Sequence, residues 1–395
     1  MSSDLEMVDP AEVGISAARL CFADELMQRQ FDEGRSPILA AVVARNGKIF
    51  FAKTLGDQRP GGPPITLESV FPIASNGKPM TAATLLALVE RGEIAITDPV
   101  VEYLPELKVN DNSKVLVHHL LTHTSGWEDE DLDASQERLL ETVLAQPTGD
   151  HDVLEHIYLT TRIPVPRRRM PGEAMSYSNY NYTLIGEIIR RVTGGTLDAA
   201  MRRYLFDPVG MTSSAVIVSE DLASRVVERP HGIPHAPGHP ETVVAFYDPL
   251  WLGWDDGGAG VHTTPLDNLR FLEMVRNGGI VGTTRVLSPA SIRVMTTNQI
   301  PGVRGIIGST TISEASWGYG FGIGGADPLA KYRGGLPSRG TLRHGGSGGI
   351  SSWVDPDLGI SGAYYELVTE EDEFGMPWSW APHRFEDVIT GAVLD

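Results

Sequence analysis

Phe71-Pro72-Ile73-Ala74-Ser75-Asn76-Gly77-Lys78-Pro79-Met80, running on through Thr81 to Ile94, is the stretch on which the reading of this chain turns. It sets a hydroxyl and an amine three residues apart at the start of a helical pattern, which puts Ser75 and Lys78 on one face. A serine hydroxyl is a poor nucleophile near neutral pH, and an amine at that spacing can take its proton. The N–H groups of a helix start add partial positive charge, favouring an alkoxide and helping to keep the lysine partly neutral. A helix N-cap followed by a solvated lysine has the same spacing. The flanks favour the site: Val70 to Ala74 is apolar, and Met80, Leu85, Leu86, Leu88 and Val89 repeat apolar character along the helix. Ser75 is therefore expected at an inner helix end.

The chain has 395 residues, enough for one enzyme of two interleaved subdomains. Its 51 acidic and 32 basic residues give a formal charge of −19, which argues against a nucleic-acid or anionic-membrane partner. The acidic runs Glu128 to Asp133 and Glu370 to Glu373 read as solvated loops. The N-terminus carries no basic segment followed by an apolar one, and no stretch approaches the roughly 18 apolar residues of a membrane span. A cytoplasmic location is expected. The single cysteine, Cys21, excludes an internal disulfide and fits a reducing compartment. Its neighbours Leu20, Phe22, Leu26 and Met27 suggest a core position for it rather than a catalytic one.

Working outward, residues 16 to 34 read as a helix closed by Gly34. Ile38 to Val43 and Lys48 to Ala52 around Asn46-Gly47 read as a hairpin. Strand signals return in Thr341 to Arg343, Gly349 to Val354 and Ile360 to Leu367, and Phe385 to Leu394 reads as a helix packed beside the N-terminal one. A sheet built from both termini around a helical middle follows, with boundaries near residues 90 and 290.

Two further constellations stand downstream. Pro171-Gly172-Glu173-Ala174-Met175-Ser176-Tyr177-Ser178-Asn179 leads from a turn into a helical pattern. Such a turn can present a phenol as general base and then acid, with the Asn179 amide orienting substrate or lysine. An ordinary aromatic turn is the alternative. Leu342-Arg343-His344-Gly345-Gly346-Ser347-Gly348-Gly349 follows a strand signal with four glycines. These would let a substrate approach strand backbone and let an N–H there join that of Ser75 in an oxyanion hole, unless they form only a flexible turn.

Three motifs in this order and spacing resemble the serine β-lactamase and penicillin-binding-protein-like superfamily. The resemblance is closest to the class C β-lactamase branch and its family VIII carboxylesterase relatives. Supporting stretches are His119-Leu120-Leu121-Thr122-His123-Thr124-Ser125-Gly126, Leu205-Phe206-Asp207-Pro208-Val209-Gly210-Met211, Gly257 to Thr264 with Asp267 and Phe271, and Trp317-Gly318-Tyr319-Gly320-Phe321-Gly322. The resemblance implies an α/β fold of the α+β type, with an antiparallel sheet from both termini flanked by helices. Residues 1–90 and 290–395 would form the sheet subdomain and 91–289 an inserted, mainly helical one, with the site in the cleft between.

Residue by residue, the resemblance implies Ser75 as acyl-forming nucleophile, Lys78 as its proton partner and Tyr177 as general base, supported by Asn179 and His344. The oxyanion and substrate-binding backbone would come from Ser75, Gly345, Gly346 and Ser347. His119 and His123 would belong to a structural element beneath the site. Asn76-Gly77 departs from the usual residues inside the first motif and suggests a looser site, since glycine in a helical turn costs about 1 kcal/mol against alanine. His344 stands where β-lactam-recognising relatives carry a lysine, and a mostly neutral histidine anchors a carboxylate poorly.

In the segment from Pro230 to Pro240, His231, His235 and His239 are spaced by four. Its prolines forbid the helix that a metal site at that spacing would need, so it reads as a loop lining or lidding the pocket. Tyr247, Trp251 and Trp254 beyond it suggest a hydrophobic acyl or aryl pocket, with packing in a core as the alternative. Arg167-Arg168-Arg169 reads as a solvated basic patch. Together these features predict a cofactor-free, metal-free serine hydrolase of a small ester, or else an amide, working through an acyl-enzyme on Ser75. An acyltransferase, a weak β-lactamase, a D-amino-acid amidase or peptidase and a non-catalytic binding scaffold are the alternatives, and a homo-oligomer is compatible with the sequence.

Overall fold

The computed structural model describes residues 5–129, 131, 165–228, 255–307, 310–324, 335–367 and 381–394. In chain order, the first elements are strand β1 (Glu6–Met7), helix α1 (Ala17–Asp32), and strands β2 (Ile38–Arg45) and β3 (Lys48–Leu55). Helices α2 (Lys78–Val89) and α3 (Val117–Leu121) follow, then strand β4 (Ala174–Ser176) and helix α4 (Asn179–Thr193). Beyond them come helix α5 (Pro265–Arg276) and strands β5 (Arg304–Ile307), β6 (Thr310–Ile312), β7 (Gly322–Ile323), β8 (Leu342–Gly346), β9 (Ile350–Asp355) and β10 (Ile360–Leu367). Helix α6 (Ala381–Gly391) closes the described chain.

One seven-stranded sheet runs β1-β3-β2-β10-β9-β8-β7. Only β1 pairs in parallel. The two termini meet where β10 pairs antiparallel with β2, from Ile360 opposite Arg45 to Leu367 opposite Ile38. The Asn46-Gly47 turn has φ of 51° and 82°, the left-handed pair that a tight hairpin between twisted strands requires.

Side chains alternate across a strand, and β2 shows what that alternation does here. Leu39, Ala41 and Val43 enter an apolar layer with Leu20, Ala23 and Met27 of α1 and Phe385 and Ile389 of α6. Ile38, Ala40, Val42 and Ala44 face the larger core that holds α2, α4 and α5. Helix α5 packs on β2, β9 and β10, so this helix of the middle segment covers the sheet. A small second sheet joins β4 in parallel to β5, with β6 outside it, and carries the chain into Tyr177.

Cys21 departs from expectation. Leu20, Ala23, Leu26 and Met27 supply the buried stripe of α1, and Cys21 lies exposed with its thiol against the Ala18 carbonyl. The acidic and basic runs also differ from their solvated readings, because they meet. Glu128 is buried, accepts a hydrogen bond from Ser176 Oγ at 2.7 Å and pairs with Arg169. Asp131 pairs with Arg168 at 2.5 Å, and Arg167 donates to Asn112 Oδ1 and the Asp111 carbonyl. Glu370 to Glu373 lie outside the described residues.

Candidate active site

Ser75 lies in a 3-10 turn, Ala74–Gly77, that runs directly into α2 at Lys78. Ala74 has φ 47°, a left-handed geometry that costs a residue with a Cβ about 1–2 kcal/mol. In such a turn residues three apart eclipse, which brings Lys78 Nζ to 2.8 Å from Ser75 Oγ. Ser75 is half-buried, and Lys78 is sealed at 0 % exposure. The amine has two other neighbours, Asn179 Oδ1 at 2.9 Å and the Gly258 carbonyl at 2.7 Å. Burial lowers its pKa to about 7, against the opposing pull of Asp256 and Asp129.

Asn179 opens α4, and Asp129 fixes it. The Asp129 carboxylate accepts from the Asn179 backbone N–H at 3.0 Å and from Nδ2 at 3.0 Å. The first contact serves a helix N-terminus with negative charge. The second sets the amide flip, so that Oδ1 faces Lys78 and, at 3.5 Å, Ser75 Oγ.

Tyr177 stands over the amine, with Lys78 Nζ 5.1 Å from its ring centroid. Its hydroxyl oxygen is buried. Burial raises the phenol's pKa strongly, with a partial offset from Ser75 and a further push from Asp129, so Tyr177 keeps its proton near neutral pH. His123 stacks on Tyr177 at 4.3 Å, with Trp317 edge-on to His123 at 5.2 Å. His123 Nδ1 accepts from the Ser178 N–H at 3.2 Å, which leaves the ring proton on Nε2. Burial holds it neutral. His119, only half-buried, accepts from the Leu116 N–H at 3.0 Å.

His344 lies on β8 opposite Ser352 and 6.1 Å, ring to ring, from Tyr177. Burial and the Lys78 charge lower its pKa to about 3, so it is neutral. Gly346 ends the strand hard against the Ser75 turn, where an added Cβ would fall 2.1 Å from the Ile73 carbonyl oxygen. Gly345 and Ser347 flank it, half-buried.

The Asn76-Gly77 pair does not loosen the site. Asn76 is 2 % exposed, and its Nδ2 donates to the His344 carbonyl at 2.6 Å. Its Oδ1 accepts from Ser352 Oγ at 2.8 Å, and Ser352 Oγ in turn accepts from Asn268 Nδ2 at 2.7 Å. A Cβ at Gly77 would sit 2.7 Å from Val261 Cγ2. Buried amide bonds thus tie the Ser75 turn to β8 and β9. Asn76→Ala leaves the His344 carbonyl without its donor and is expected to lower stability by about 1–3 kcal/mol, read by chemical denaturation.

Three of the residues that matter here escaped the sequence reading. Asp129 was hidden in an acidic run. Asn268 lay in an ordinary helix. Asp256 stands one residue before the glycine run, where an acid directly preceding a glycine turn was the available signal. Of the expected pocket residues, His231, His235, Tyr247, Trp251 and Trp254 lie outside the described residues. Among the described residues no group of three metal-ligating side chains occurs, and no helix is long and apolar enough to cross a membrane.

A serine carrying an amine at hydrogen-bond distance, a protonated phenol and a glycine strand edge define a serine enzyme of the acyl-forming type. The Beta-lactamase family profile matches residues 23–374, and the chain belongs to that family. Esterase EstB of Burkholderia gladioli is 31% identical over 388 residues, covering 90% of this chain and 92% of its own. A family VIII carboxylesterase structure has the same fold, with TM-score 0.72, 21% identity and coverage of 96% of this chain and 99% of its own. EstCE1, described as a hydrolase with promiscuous acyltransferase activity, matches with TM-score 0.72 and 20% identity over 96% of this chain and 99% of its own. The chain is a serine hydrolase of the β-lactamase family.

Proposed function

We propose that this enzyme hydrolyses small uncharged esters through an acyl-enzyme on Ser75, with Lys78 as proton acceptor and Tyr177 as proton donor. The valence of the Lys78 amine carries the reading. A neutral amine has two N–H donors and one lone pair. Lys78 Nζ lies within donor distance of the Asn179 Oδ1, the Gly258 carbonyl and Ser75 Oγ, at 2.9, 2.7 and 2.8 Å, so the neutral amine can give its two N–H groups to the two carbonyls and turn its lone pair to Ser75 Oγ. Ser75 then adds to the ester carbonyl carbon as its proton moves to Lys78. Collapse breaks the carbon–alkoxide bond, and the departing oxygen takes the Tyr177 proton, which the Lys78 ammonium replaces. Water repeats the cycle on the acyl-enzyme.

The N–H groups of Ser75 and of the Gly346–Ser347 edge would hold the oxyanion. This division differs from the one the resemblance implies, because burial keeps the phenol protonated near neutral pH, so it can give a proton to a more basic departing alkoxide but cannot take one from Ser75. His344, held neutral, offers an anionic substrate no charge, which favours uncharged esters over β-lactams. Similarity to EstB supports an ester. Likeness in fold to EstCE1 is compatible with transfer of the same acyl group to an added alcohol. The single cysteine supports a cytoplasmic setting.

Rapid mixing with a short-chain nitrophenyl ester tests the acyl-enzyme. About one equivalent of nitrophenol per chain should appear in a burst, and turnover without acylation of Ser75 would overturn the reading. The pH profile tests the base. Lys78 works only when neutral, so kcat/KM should hold above pH about 7 and fall below it.

A further inference from the structure

We infer that Asp256 is a positioning residue: it builds the loop that receives Lys78 and sets the balance between the amine's neutral and charged forms. The inference rests on Lys78 as the proton acceptor. Asp256 Oδ2 accepts from the N–H groups of Gly258 at 3.0 Å and Ala259 at 2.8 Å, and the Asp256 carbonyl accepts from Gly260 at 3.0 Å. These three bonds fold residues 256–260 into a tight turn. Its carbonyls face α2: Gly257 accepts from Thr81 Oγ1 at 2.8 Å and Gly258 from Lys78 Nζ at 2.7 Å. The loop fits only as glycine here, because a Cβ at Gly257 would lie 2.5 Å from the Tyr182 carbonyl of α4.

A carboxylate at this place does more than pin backbone. It is buried, so its charge acts through little solvent. Burial pushes the carboxyl upward, while the Thr183 hydroxyl, then Lys78 and the two backbone N–H groups, favour its charged form. The other groups that face the amine are Asp129 behind Asn179, the phenols of Tyr177 and Tyr182, and the neutral rings of His123 and His344. Asp256 and Asp129 are the negative charges among these described groups that favour the ammonium. Asp129 also caps a helix and holds an amide, so Asp256 is the cleaner place to change charge alone.

Asp256→Asn keeps an oxygen for the two backbone N–H groups and removes the charge, and Asp256→Ser is the second variant should the first not fold. Lys78 is titrated by NMR in ¹³C-lysine-labelled protein and assigned with Lys78→Arg, since the chain carries few lysines (Lys48, Lys53, Lys78, Lys108, Lys114 and Lys331). The Lys78 resonance should titrate about one pH unit lower than in the parent, the scale of losing one nearby opposite charge. The acid limb of kcat/KM should move with it, so activity at pH 6, relative to each enzyme's own plateau, rises about fivefold. An unchanged Lys78 titration in both variants would overturn the inference. A shifted titration with a fixed acid limb would uphold it and instead refute Lys78 as the proton acceptor.

Discussion

Ser75→Ala is expected to abolish the nitrophenol burst and lower kcat by roughly a thousandfold or more, the scale of losing a nucleophile from a concerted site. The folded state should survive. Ser75 is half-buried and adds to its surroundings one contact with Lys78 and a long one with Asn179. Alanine is also no worse a helix former. With the hydroxyl gone, Lys78 keeps both carbonyl partners and loses only its contact with Ser75 Oγ. The variant should therefore bind substrate near the parent affinity while forming no covalent adduct, which intact-mass spectrometry after substrate addition reads directly. An adduct of unchanged mass and yield in Ser75→Ala would place the nucleophile elsewhere.

What the sequence disclosed follows from how local each signal is. The Asn46-Gly47 hairpin and the Ser75–Lys78 spacing are short-range geometry, and the structure reproduces both. Strands from both ends were legible because alternation and glycine turns mark them, and their pairing follows from the apolar faces they must cover. The supports of the site were not legible. Asp129 reaches Asn179 across 50 residues, and Asn76 reaches the His344 carbonyl across 268. An acid that caps a distant helix looks, in sequence, like any solvated acid. Cys21 failed in the opposite direction: its apolar neighbours spread around more of the helix than the single stripe that is buried. The roles of Lys78 and Tyr177 depend on burial, which no motif encodes.

Lys78→Met is expected to lower kcat/KM by about 10²–10⁴-fold, the usual worth of a positioned proton acceptor, and at the same time to raise the melting temperature. The second effect follows from linkage. In the folded protein the amine has a pKa of about 7, lowered from 10.5 by burial. Between those values the unfolded chain binds a proton that the folded chain does not, so stability rises with pH from about 7 to 10.5 and carries the full penalty below 7. At about 1.4 kcal/mol per pKa unit, that penalty is on the order of a few kcal/mol. Methionine fills similar volume without a charge to desolvate. Against this, the Gly258 carbonyl loses its donor, a cost of about 1–3 kcal/mol, while Asn179 is exposed and can turn to water. The sum favours the variant by a small margin, most clearly below pH 7, where the melting temperature should rise by a few degrees. The parent's climb in stability between pH 7 and 10.5 should flatten in the variant. A variant less stable than the parent at every pH would mean that Lys78 is held as a paired ammonium ion. Ser75 would then need another base.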